Sequence, residues 1–178
     1  DLQMDAWGID VVVSGSHKGF MLPPGLAFVS VNQKAMRLIE QSKSPRYYFD
    51  LRKSKKAFQK TDTPFTPAIG IIIALNESIR SIKAKGLENL FRYFEHLAQG
   101  TRAAAEALGL TLFPEKSCVS DVVTAINLPP EIDGGKVVKI MRDTHGISIA
   151  GGQDQLKGKI IRIAHMGCLT EEDILTGI

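Results

Sequence analysis

Ile9-Asp10-Val11-Val12-Val13-Ser14-Gly15-Ser16-His17-Lys18, with Pro23-Pro24-Gly25-Leu26-Ala27-Phe28-Val29 a few residues on, is the stretch on which the fold turns. Its first part is a β-branched run bounded by glycines and reads as a buried strand, since branched side chains suit a pleated, packed surface. Leu26-Ala27-Phe28-Val29-Ser30-Val31 reads as a second strand. Between them lie Gly15-Ser16-His17-Lys18-Gly19 and Pro23-Pro24-Gly25. Glycine supplies unusual dihedrals and proline fixes them, so this link should be a rigid loop that presents side chains. A lysine there is a nucleophile only if its amine is neutral, which burial or a neighbouring cation brings about by lowering its pKa. On pattern alone, a solvated lysine is the commoner outcome.

Outward from this loop, residues 32–42 carry Ala35, Met36, Leu38 and Ile39 at helical spacing, with Asn32 as the cap. Residues 43–67 are irregular, with Tyr47, Tyr48, Phe49, Phe58 and Phe65 scattered among basic residues, and read as a functional crossing loop. Residues 68–85 and 86–108 follow helical spacing, and Gly109 stops the second where a C-terminal glycine is expected. Beyond it, residues 119–128, 146–150 and 159–164 read as strands and 135–145 as a helix, with Gly151-Gly152 as a turn. That alternation makes a small α+β unit. The boundary falls near Lys85, giving units 1–85 and 86–178. The chain opens as though in mid-loop, and Thr170-Glu171-Glu172-Asp173 begins a capped helix that is cut short.

Composition excludes several classes. The hydrophobic fraction is 44%, the charged fraction 23% and the net charge +3, an ordinary soluble balance with no pull towards nucleic acid. Arg52, Lys53, Lys55, Lys56 and Lys60 read as a solvated face. A membrane span needs about 20 apolar residues, and the longest apolar run covers only residues 69–75. Cys118 and Cys168 have neither metal-ligand spacing nor a disulfide framework, so no metal is expected and both read as packing residues in a cytoplasmic protein.

The lysine string, from the hydrophobic strand through small-small-His-Lys to the second strand, resembles the cofactor-attachment signature of the class V aminotransferases. The resemblance extends over essentially all 178 residues. It is nearest to the alanine–glyoxylate and serine–glyoxylate (serine–pyruvate) branch, some of whose bacterial members carry the name of a soluble hydrogenase subunit. That name does not match the chemistry read here, because there is no cysteine cluster for nickel or iron–sulfur ligation. The resemblance implies an α/β protein of the pyridoxal-phosphate (PLP) transferase fold type I. Residues 1–85 would be the end of its large domain and residues 86–178 its small C-terminal α+β domain, truncated at the last helix.

The same resemblance implies that Lys18 holds the cofactor as a Schiff base, with Ser16 and His17 near its phosphate. Thr61-Asp62-Thr63-Pro64-Phe65-Thr66-Pro67 looks like the segment that reaches the neighbouring subunit's phosphate, with Thr66 on the threonine position and Thr63 where some members have tyrosine. This implies a homodimer with shared active sites. Read locally, Thr66 would cap a helix with Pro67 in its first position; the readings agree, because a helix N-terminus is itself a phosphate site. Gly158-Lys159-Ile160-Ile161-Arg162-Ile163-Ala164-His165-Met166-Gly167 resembles the strand whose arginine binds the substrate carboxylate. A planar guanidinium grips a carboxylate through two parallel hydrogen bonds, and an arginine in an apolar strand needs an anionic partner.

The implied reaction is transamination between alanine or serine and a 2-oxo acid such as glyoxylate or pyruvate. The family's ring-stacking aromatic, pyridine-nitrogen carboxylate and phosphate loop precede the lysine strand, so this chain would hold part of a site. A cysteine desulfurase-like lyase is the near alternative, but neither Cys118 nor Cys168 lies where that chemistry needs a mobile nucleophile. A catalytically silent dimerisation unit is the alternative of another class.

Overall fold

The computed structural model describes residues 2–178. The chain divides into two compact units, Asp1–Ser81 and Ile82–Ile178.

In the first unit, β1 (Val11–Gly15) and β2 (Ala27–Val31) form an antiparallel pair, with Val11 opposite Val31 and Gly15 opposite Ala27. They are the expected strands, but they are not buried: Val11 is 47% and Val13 72% exposed. A continuous β-branched run places apolar side chains on both faces, and a two-stranded ladder does not cover both. Helix α1 (Gln33–Gln41) starts at Asn32, whose side chain accepts the Ala35 N–H at 2.9 Å.

The segment read as irregular contains a helix, α2 (Leu51–Phe58). Its cause is Asp50, which accepts the Arg52 N–H at 3.0 Å and takes the Arg52 guanidinium on both oxygens, at 3.0 and 2.8 Å. Arg46 reaches back to the C-terminal carbonyls of α1, Ile39 O at 3.2 Å and Ser42 O at 2.8 Å. The basic run is partly paired, with Lys55 on Glu40 at 3.0 Å and Lys53 over the Tyr47 ring at 4.1 Å. Helix α3 (Ile69–Lys85) begins later than expected. Ile69 N–H donates to Pro67 O, a tight turn that makes Ala68, whose carbonyl accepts from Ile72, the residue of entry. Thr66 is therefore not the cap, and Pro67 lies outside the helix.

In the second unit, α4 (Leu87–Ala107) ends in a Schellman motif. Gly109, at φ +76°, donates to Glu106 O while Leu110 donates to Ala105 O. The sheet has the order β3-β4-β6-β5, all antiparallel, from β3 (Thr111–Leu112), β4 (Val123–Asn127), β5 (Ala150–Gly151) and β6 (Ile160–Ala164). Side chains alternate across it. Ile126, Ile161 and Ile163 join Ala105 of α4 and Val137 and Val138 of α5 (Gly134–His145) in the core. Ala125 and Arg162 fall on the opposite face. Helix α6 (Glu171–Gly177) has a capping box between Thr170 and Asp173. Cys118 and Cys168, expected as packing residues, are exposed, because both fall in connecting segments. Among the described residues no helix is long and apolar enough to cross a membrane.

Candidate active site

Lys18 stands on a loop braced by several internal hydrogen bonds. Ser16 N–H donates to Leu26 O at 3.0 Å, Leu22 N–H to Ser16 O at 3.1 Å, and Met21 N–H to the Lys18 carbonyl at 2.9 Å. From outside the loop, Ser78 of α3 donates its hydroxyl to Phe20 O at 2.6 Å, and the Phe20 ring lies 4.6 Å from that of Phe28 in β2. Lys18 itself is exposed, and no carboxylate among the described residues pairs with it within 4.0 Å. His17 is exposed too, with its ring folded against the preceding turn; a Cβ on Gly15 would meet it at 2.9 Å.

Ser16, expected near the cofactor's phosphate, has its hydroxyl engaged within the loop. It is fully buried, its only proton goes to Pro23 O at 2.7 Å, and its oxygen accepts the Leu26 N–H at 3.2 Å. A phosphate needs a donor, and Ser16 has none to offer in this arrangement. Thr63 likewise donates to Phe65 O at 2.8 Å and shapes its own turn. Thr66 is exposed and its hydroxyl has no hydrogen-bond partner among the described residues.

Arg162 is half-buried on β6, with alanines, Ala125 and Ala150, opposite it on both neighbouring strands. Its Nε donates to Gly151 O at 2.9 Å, and no carboxylate among the described residues lies within 4.0 Å of it. A half-buried guanidinium without an anion is a ready seat for one.

Sequence reasoning did not single out His165, fully buried at the end of β6. One ring nitrogen, Nδ1, lies 3.1 Å from Asp121 O and the other, Nε2, 2.8 Å from Thr124 Oγ1. A carbonyl only accepts, so Nδ1 carries the proton and Nε2 accepts from Thr124. Burial pushes the pKa down, joined by the nearby charge of Arg102; the hydrogen bond to the Asp121 carbonyl opposes them. Ser78 was missed as well. Nothing local marks it, because its partner lies 58 residues away.

The residues present fit a phosphate-bearing aldehyde cofactor. A braced loop offers an amine and an imidazole, and a second segment offers a free hydroxyl.

Comparison with known proteins agrees. Residues 1–174 match the family model for class-V aminotransferases. The soluble hydrogenase 42 kDa subunit of Anabaena cylindrica is 43% identical over 100% of this chain and 46% of its own length. The L-aspartate–glyoxylate aminotransferase of Paracoccus denitrificans is 42% identical over 100% of this chain and 45% of its own. Among solved structures, alanine–glyoxylate aminotransferase from Nostoc sp. superposes with a TM-score of 0.94 at 26% identity, over 99% of this chain and 48% of that one. The chain thus spans about half the length of the relatives it matches. Its architecture is that of fold type I PLP-dependent transferases, and the chain belongs to the class-V aminotransferase family.

Proposed function

We propose that this chain supplies the cofactor-attachment and carboxylate-binding parts of a PLP-dependent aminotransferase. The enzyme would move an amino group from alanine or serine to a 2-oxo acid such as glyoxylate or pyruvate. The observation that carries this reading is the match of residues 1–174 to the class-V aminotransferase family model, with Lys18 on a loop braced by Ser16 and Ser78 and without a carboxylate partner among the described residues. Glyoxylate is favoured as acceptor because it recurs in the names of relatives whose donors differ, aspartate in one and alanine in another.

When bound, PLP supplies the electron sink that makes the substrate's Cα–H bond acidic. Lys18 Nζ would hold the cofactor and, as general base, carry the proton away from Cα and return it. The His17 ring N–H and the Thr66 hydroxyl would donate to the phosphate. Ser16 and Ser78 would hold the lysine loop in place, and Thr63 would shape the turn ahead of Thr66. The Nη groups of Arg162 would grip the substrate carboxylate. The functional unit would be a homodimer in which Thr66 serves the partner subunit's cofactor. The ring-stacking aromatic, the pyridine-nitrogen carboxylate and the phosphate loop would come from the family's remaining length.

The test is amine transfer to glyoxylate by the protein at full family length, with alanine, serine and aspartate as donors. Glycine should form with alanine or serine and cease to form in Lys18→Ala. A cofactor-loaded protein that forms no glycine with any donor would remove the aminotransferase reading and favour a lyase of the same family.

A further inference from the structure

We propose that Gly151-Gly152 is the positioning element for Arg162, fixing it so that a carboxylate is bound only end-on, by the two Nη nitrogens. The inference rests on the reading of Arg162 as the carboxylate residue and adds how it is aimed.

The aiming begins in the ladder. Gly152 N–H donates to Ile160 O at 3.1 Å, so the alternation of an antiparallel pair turns the neighbouring Gly151 carbonyl away from β6, towards the open edge of β5. Among the described residues this edge carbonyl has no strand partner. Arg162 Nε fills the vacancy at 2.9 Å. The guanidinium is planar, so fixing Nε fixes the plane and direction of both Nη groups. It also removes the side-on Nε/Nη fork from the ways a carboxylate can be held. Only the end-on pair is left.

Gly152 is what permits this arrangement. The connection from β5 to β6 folds back so tightly that a Cβ on Gly152 would collide with the Leu156 carbonyl oxygen and lie 2.9 Å from Ile160 Cγ1. Neither is the loose end of a surface side chain. The Leu156 carbonyl is held in turn, accepting the Lys159 N–H at 3.0 Å at the entry to β6. Any side chain at 152 therefore moves the turn, and with it the Gly151 carbonyl. At Gly151 itself, a Cβ would make only an ordinary contact with Val138 at 3.7 Å, so the steric demand is specific to Gly152.

A double-mutant cycle at full family length tests this, using Gly152→Ala and Arg162→Lys. It is read out by KM for the amino donor and by calorimetric binding of glyoxylate to the PLP-loaded protein, in which Lys18 is occupied by the cofactor and no amine is present to transfer. Gly152→Ala should raise both KM and the glyoxylate Kd by about tenfold while changing kcat by less than about twofold, the signature of a lost ground-state contact. In the Arg162→Lys background it should add less than about twofold, because coupled residues are non-additive. Additive losses would show that Gly152 acts on the fold and not through Arg162, and would overturn the proposal. An Arg162→Lys protein with unchanged KM would remove the underlying reading, and the proposal with it. Should Gly152→Ala fail to fold, the unmutated protein decides. The Arg162 Nε–H resonance, identified by its loss in Arg162→Lys, should stay protected from exchange and nearly unshifted when glyoxylate is added. If it shifts strongly, Nε contacts the carboxylate and the proposal is wrong.

Discussion

Arg162 and His165 lie three residues apart and place opposite demands on the protein around them. No carboxylate among the described residues lies within 4.0 Å of Arg162, whose Nε is held by Gly151 O. Lysine in its place would keep the charge and lose the fork. Arg162→Lys should therefore raise KM for the amino donor more than about tenfold, or about 1.4 kcal/mol, with the cofactor's visible spectrum unchanged. His165 is buried as a neutral ring, with its pKa pushed below the usual histidine value. The unfolded chain then binds more protons than the folded one as pH falls below about 6.5, so stability is full above that pH and declines below it. Melting temperature measured from pH 7.5 down to pH 5 (about the range in which histidine titrates) should fall, and the slope should flatten in His165→Asn. An unchanged slope would mean that another group controls it. Lys18 and Arg162 stand out in the sequence because each sits in a distinctive local string, and the roles given to them are the ones proposed above. The partners of Ser16, Pro23 and Leu26, were not legible, because they lie across a loop whose closure no local pattern reveals.

Elements with an apolar period and a marked end were readable; those without were not. Helix α4 has both, and Gly109 takes the positive φ that its Schellman ending requires. Gly109→Ala should lower stability by about 1 kcal/mol or more, since alanine is strained there, and a denaturant midpoint that does not move would refute that role. Helix α2 is short and mostly exposed, with only Leu51, Ala57 and Phe58 apolar and four of its eight residues basic, Arg52, Lys53, Lys55 and Lys56. It exists because Asp50 caps it and binds Arg52, an interaction that also holds the Asp50 carboxyl well below the usual carboxylate range. Such a helix is determined by its cap, and a single aspartate among turn formers does not distinguish a helix from a loop. The start of α3 was misplaced for a related reason, as the turn from Pro67 to Ile69 intervenes between Thr66 and the first helical residue.

At the scale of the whole molecule, exposed apolar side chains gather on the segment between α1 and α3. Tyr47 is 72%, Phe49 88% and Phe58 82% exposed, and Tyr48 stacks 4.7 Å from Phe65. A patch of this kind is a surface that something covers; the chain spans about half the length of its relatives, and the proposed homodimer is one such cover. Subunit mixing gives the prediction its test. In a purified heterodimer of Lys18→Ala and Thr66→Ala subunits, a shared site leaves one centre with both lesions and the other with none, so about half of the wild-type activity should return. If Thr66 serves its own subunit, both centres are damaged and nothing returns. The exposure of Val11 and Val13 belongs to this scale too. The β-branched run correctly predicted a strand, but burial depends on what covers it, and that is not written in the run itself.

The proposed function requires Lys18 as the residue that would carry the cofactor. Borohydride reduction of the cofactor-loaded protein at full family length, followed by peptide mapping, tests it directly. The pyridoxyl group should be found on Lys18 and be absent from the map of Lys18→Ala. Labelling of Lys34 or Lys159 in its place would contradict the account.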